Sequence, residues 1–98
     1  MLAQRIRNYE LVMVLSPEAT EEEISSTRER IDKLIKESGG EVVDHELWGL
    51  KRLAFPIMKF NEGNYVLIKF SMDSNAAPEL NRNITAAQDI IRFLITKN

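Results

Sequence analysis

The order of periodic segments constrains this chain more than any other feature. Tyr9, Leu11, Met13 and Leu15 alternate with Asn8, Glu10, Val12 and Val14, a strand pattern with one face wholly apolar. Ser16-Pro17 ends it, and Thr20-Glu21-Glu22-Glu23 then has the T-x-x-E spacing of a helix capping box. Ile24, Thr27, Ile31, Leu34 and Ile35 follow at helical spacing, and Gly39-Gly40 supplies a left-handed stop. Residues 41–53 suit a long strand. Ala54-Phe55-Pro56-Ile57 and Asn61-Glu62-Gly63 bracket a connection, because Pro56 cannot donate to a ladder. From Asn64 to Met72 alternation returns, with Val66, Ile68, Phe70 and Met72 on one face and Tyr65, Leu67 and Lys69 on the other. Asp73-Ser74 can cap a short helix to about Thr85, with Pro78 in the first turn, where no intrahelical N–H is lost. Ile91, Phe93 and Ile95 finally alternate with Ile90, Arg92, Leu94 and Thr96.

Strand, helix, strand, strand, helix, strand is the order of an α+β, ferredoxin-like βαββαβ sandwich. Four antiparallel strands would form one sheet with both helices on one face, the first and third strands central. The 98 residues make one such domain, 1–98.

Composition excludes several functions. There is no cysteine, so disulfides, zinc-thiolate sites and thiol nucleophiles are out. No apolar run approaches the ~20 residues that span a bilayer, and MLAQRIRNYE has no apolar stretch behind its arginines to make a signal peptide. A cytoplasmic or organelle-matrix protein is expected. The net charge of −2 conceals a split: residues 18–46 hold ten acids against four bases, while residues 47–98 hold seven bases against four acids. Such a division suits an RNA contact on one side only.

Candidates for chemistry are few. His45, the single histidine, lacks a nucleophile or companion ligands at fitting spacing and reads as a residue on an exposed strand edge. Glu21, Glu22 and Glu23 diverge by about 100° each on a helix and do not converge on an ion. No catalytic residue, metal site, cofactor or small-molecule substrate is indicated. The sheet face away from the helices is different. Val12, Val14, Tyr65, Leu67, Ile90 and Leu94 would project there, ringed by Glu10, Lys69 and Arg92. A small protein rarely leaves such a patch in water, so it marks a partner site. With Tyr65 its one outward aromatic, the face is a poor platform for stacking bases.

One stretch resists the strand reading. In WGLKRLAFPI, residues 48–57, Lys51 and Arg52 are neighbours, so a half-buried strand would aim a positive charge at each face. That stretch, as Gly49-Leu50-Lys51-Arg52-Leu53-Ala54-Phe55-Pro56-Ile57, resembles the signature of the bacterial-type small-subunit ribosomal protein six family. RNYELVMVLSPEA, GNYVLIKF and DIIRFLITKN resemble the family's other segments, so the likeness runs over essentially the whole chain.

The resemblance implies a structural, non-catalytic protein of the small ribosomal subunit. It would bind the central domain of the small-subunit ribosomal RNA together with small-subunit ribosomal protein eighteen. It implies RNA contact at Arg5, Arg7, Lys51, Arg52, Arg92 and Lys97, with the open face and the second-strand edge left for the partner protein. Phe55 stands where the family usually has tyrosine, and 85–88 lacks the basic residues many relatives carry there. The competing reading is a ferredoxin-like metabolite-binding regulator that dimerises through its open sheet, which would need a pocket of convergent polar groups.

Overall fold

The computed structural model describes residues 6–57, 60–87 and 89–97, with the side chains of 54–57 and 60 left aside. The elements are β1 (Ile6–Leu15), α1 (Glu21–Glu37), β2 (Glu41–Ile57), β3 (Phe60–Asp73), α2 (Ala77–Thr85) and β4 (Ile90–Lys97). All strand pairs are antiparallel in the order β2-β3-β1-β4, so β1 and β3 are central. This is the ferredoxin-like arrangement that the segment order implies.

The capping box starts α1. The Thr20 hydroxyl accepts from the Glu23 N–H at 3.2 Å, and the Glu23 carboxylate accepts from the Thr20 N–H at 2.9 Å. The bond from the Thr20 backbone, with help from its side chain, holds the Glu23 carboxyl below its ordinary range. At the other end Gly39 adopts φ +83°, while the Gly40 N–H donates to the Ile35 carbonyl at 2.8 Å. Only the first glycine of the pair makes the left-handed turn. The second allows close approach: a Cβ on Gly40 would lie 2.9 Å from the Ser71 carbonyl oxygen.

One apolar core joins both helices to one side of the sheet. Tyr9, Leu11, Met13 and Leu15 of β1 and Val66, Ile68, Phe70 and Met72 of β3 meet Ile31 and Ile35 of α1 and Leu80 and Ile84 of α2. Tyr9 stacks on Phe70 with centroids 5.4 Å apart. Each such side chain contributes about 1.5–3 kcal/mol by leaving water.

Three expectations are corrected. Asp73 does not cap α2; its carboxylate accepts from the Asn75 N–H at 2.8 Å in the preceding turn, and Ala76 occupies the N-cap without a side-chain bond. The bracketed connection after Leu53 is instead a longer hairpin, with β2 continuing to Ile57 and β3 beginning at Phe60. Pro56 fits because β2 is an edge strand, and the register slips between Arg52 and Ile57. Finally, a register shift between Val14 and Leu15 pairs Leu15 with Ile90. This turns Ile90 into the helix-side core rather than onto the open face.

β1 reaches only to the Leu15–Asn64 pair, so the hairpin beyond Leu50 runs past the sheet. It accounts for a long axis of 49 Å in a molecule 26 and 22 Å across.

Candidate partner and nucleic-acid interface

Cross-strand register arranges the open face in rows. Arg92, Val14, Tyr65 and Gly49 form one row; Leu94, Val12, Leu67 and Glu46 the next; Thr96, Glu10, Lys69 and Asp44 a third. Apolar residues therefore lie between a cationic end and a mixed, more acidic end, where Lys69 Nζ stands 3.8 Å from Glu46.

This face is less open than the alternation alone implies. Val14 and Leu67 are only 6% and 3% exposed, Val12 and Tyr65 are half-buried, and Leu94 is 60% exposed. Gly63 explains part of the sealing. It lies across from Lys51 with its open side against Val14 Cγ1 and Leu53, so a bare backbone lets Val14 pack down. Leu53 is itself buried. Val14, Leu53 and Leu67 thus make a small second apolar layer, and the accessible part of the expected partner patch is Leu94, Val12 and Tyr65.

Sequence reasoning missed one component. Between Leu47 and Gly49 the register shifts, so Trp48 and Gly49 together oppose Tyr65. Gly49 has φ +78°, the conformation of a bulge glycine. The result brings the Trp48 ring parallel to Tyr65, centroids 6.3 Å apart, with Lys51 Nζ 5.2 Å from the Trp48 centroid. The signal was present as a glycine inside a strand, which breaks alternation and reassigns faces.

The protruding hairpin also answers the puzzle of the adjacent cations. Lys51 and Arg52 are both exposed, because β1 does not extend beside them. Lys51 shares the open face with Trp48, and Arg52 pairs across the hairpin with Glu62. Among the other expected RNA contacts, Arg92 belongs to this same end. Arg7 and Lys97 are exposed at the opposite end of β1, where Arg7 pairs with Met72 and Lys97 with Tyr9, both core-facing residues. Arg5 lies outside the described residues. The cations therefore form two groups, separated along β1 by about 20 Å at ~3.3 Å per residue.

His45 is not simply an exposed edge residue. Its Nε2 lies 2.9 Å from an Asp32 carboxylate oxygen, tying β2 to α1. On the other flank of α1 the Asp89 carboxylate accepts from the buried Thr27 hydroxyl at 2.5 Å and from Arg30 at 2.6 Å. Partial burial raises the Asp89 carboxyl, but the Thr27 and Arg30 bonds outweigh it and hold the group below its usual range. These groups line a cleft with Glu18, Glu22 and Glu23, where Glu23 is engaged by Thr20 and Asp89 by Thr27 and Arg30. Those partners make it a tertiary clamp. Among the described residues, no group of three or more histidine and carboxylate side chains could hold a metal ion, and no helix is long and apolar enough to cross a membrane.

The model of the ribosomal protein S6 family matches residues 8–97. The chain belongs to that family. It is 39% identical over 92 residues to small ribosomal subunit protein bS6 of Moorella thermoacetica, covering 94% of each chain. Against the bS6 of Clostridioides difficile the identity is 42% over 93 residues, covering 92% of this chain and 97% of the relative. The crystal structure of 30S ribosomal protein S6 from Thermotoga maritima superposes with a TM-score of 0.88 at 33% identity, over 96% of this chain and 89% of that one. The P2 domain of the chemotaxis kinase CheA from the same organism gives a TM-score of 0.64 at 17% identity, a likeness of fold alone. This S6-family chain is thus a protein of the small ribosomal subunit, in a family of structural rather than enzymatic proteins.

Proposed function

We propose that this S6-family protein binds small-subunit ribosomal RNA in the ribosome of the cytoplasm, paired with ribosomal protein eighteen, and that it does so without catalysis. Membership in the S6 family over residues 8–97 carries this reading. The geometry supports it in two ways. Lys51, Arg52 and Arg92 gather at the hairpin end, and Arg7 and Lys97 at the other, as exposed cations suited to phosphate. Leu94, Val12 and Tyr65 offer the partner an apolar strip on the open face, next to Arg92 and Lys51, while Arg7 and Lys97 lie on the opposite face.

RNA binding across a salt series tests the first part. Lys51→Ala and Arg92→Ala should each weaken binding across sequences and reduce the salt slope by about one ion. Unchanged slopes would remove those residues from the interface. Capture of protein eighteen by the tagged chain tests the second, and Leu94→Glu should abolish it while the fold persists.

A further inference from the structure

We infer that Trp48 is a stacking platform for an unpaired base of the RNA this protein binds. The inference rests on the RNA-binding reading and deepens it, since that reading assigns only phosphate contacts.

Trp48 is the chain's single tryptophan and is 41% exposed, although an indole is on average highly buried. The bulge at Gly49 puts it there. With Gly49 at φ +78°, Trp48 is the extra residue opposite Tyr65, and its ring lies within 17° of parallel to the tyrosine, centroids 6.3 Å apart. Tyr65 is half-buried between Val14 and Gly49, so it backs the indole from the sheet side. On the other side β2 is the edge of the sheet, with no further described strand to cover the ring. An aromatic ring backed on one side and open on the other suits a second flat ring.

The charge around it selects nucleic acid. Residues 47–60 hold three bases and no acid. Lys51 Nζ stands 5.2 Å from the indole centroid, within reach of the phosphate of a nucleotide stacked there. Arg92 closes the row Gly49-Tyr65-Val14-Arg92, three strand spacings or about 14 Å away, where it meets a different phosphate. Glu46, the acid of the next row, is engaged with Lys69 at 3.8 Å. Aromatic rings set among cations hold single strands in this way, the base on the ring and the backbone on the cations.

The Lys51 ammonium does not block the site. A cation on an exposed ring is worth about a factor of two to five, and a stacked base about five- to hundredfold. The base therefore displaces that contact, and the ammonium turns to the phosphate. Paired RNA offers no free base face, so the contact selects a loop, bulge or end. Leu94 and Val12 stand on the two strands farthest from β2, which leaves the partner protein room beside the bound base.

Fluorescence titration of the full chain with central-domain RNA, protein eighteen being present throughout, tests this. The same titration with Trp48→Phe supplies the background, so the difference reads Trp48 alone. Stacking quenches indole emission, and quenching that follows RNA binding is expected. Trp48→Ala should weaken binding about five- to hundredfold with the salt slope unchanged. Trp48→Phe should recover most of that loss, because it keeps a ring. Lys51→Ala lowers the slope by about one ion instead, which separates the phosphate from the base. Circular dichroism verifies the fold of each variant. Emission that shifts to the blue on adding protein eighteen, and does not change again with RNA, puts Trp48 in the protein interface and overturns the inference. So does parent-like RNA affinity of Trp48→Ala with the Lys51 effect intact, an outcome that leaves the RNA reading standing. Failure of the parent chain to bind central-domain RNA at all sinks that reading, and the stack with it.

Discussion

The two sides of the sheet use the same alternation to different ends. On the helix side Leu11, Met13, Ile68 and Met72 are fully enclosed. On the other side one row runs from enclosed Leu67 through half-buried Val12 to exposed Leu94. Period-two patterning reports which side a residue takes. It is silent on whether that side is covered, because cover comes from elements distant in sequence. Here the helices enclose the central strands on one side, whereas Gly63, Leu53 and the Trp48–Tyr65 pair thicken the other only near the hairpin.

Truncation measures the contrast directly. Ile68→Ala should cost about 2–5 kcal/mol, as loss of a large enclosed side chain does. Leu67→Ala, one residue along and on the other face, should cost about 2 kcal/mol, since it leaves a smaller layer that can relax. Leu94→Ala should fall within about 0.5 kcal/mol of the parent. Urea denaturation of the three variants gives the ranking. A Leu67→Ala cost as small as that of Leu94→Ala would mean the open side has no packed layer.

Element order, the capping box of α1 and the family signature were legible because each depends on residues close in sequence. So was the pairing of central β1 and β3. Three features were hidden, each for a physical reason. Ile90 reverses face through a shift at Val14/Leu15 that no alternation within β4 announces. The extension of β2 through Pro56 depends on edge position, a property of topology. Trp48 joins Tyr65 only because Gly49 bulges the strand. At the candidate interface the cationic residue types were readable. Their division between two ends of β1 was not, since it follows from register.

Gly63 sharpens the comparison at the seam between hairpin and sheet. Its side of the strand faces Val14 Cγ1, and the Leu15 carbonyl oxygen lies 3.2 Å from where a Cβ would stand. Gly63→Ala must therefore lift Val14 or part the strands, an overpacking cost of about 1–3 kcal/mol. Val14→Ala in the same chain should recover much of it by opening the space. If the double variant is no more stable than Gly63→Ala alone, the contact with Val14 is not what excludes a side chain there.

A smaller effect than that at Gly63 lies on the helix side, in the Thr27–Asp89–Arg30 clamp between α1 and the start of β4. The Asp89 carboxyl is held below its ordinary range in the folded chain. A depressed folded pKa stabilises above the unfolded value of about 3.9, and that contribution fades as pH falls through the folded pKa. Asp89→Asn should cost on the order of 0.5–1 kcal/mol at pH 7, a modest figure because the pair with Arg30 is partly exposed. The gap between parent and variant should hold steady from pH 7 to about 5 and narrow below about 4. Denaturation at pH 7 and pH 3 reads this difference of differences. A gap that widens on acidification would mean Asp89 is easier to protonate in the folded chain, and the bonds from Thr27 and Arg30 would then be outweighed by burial.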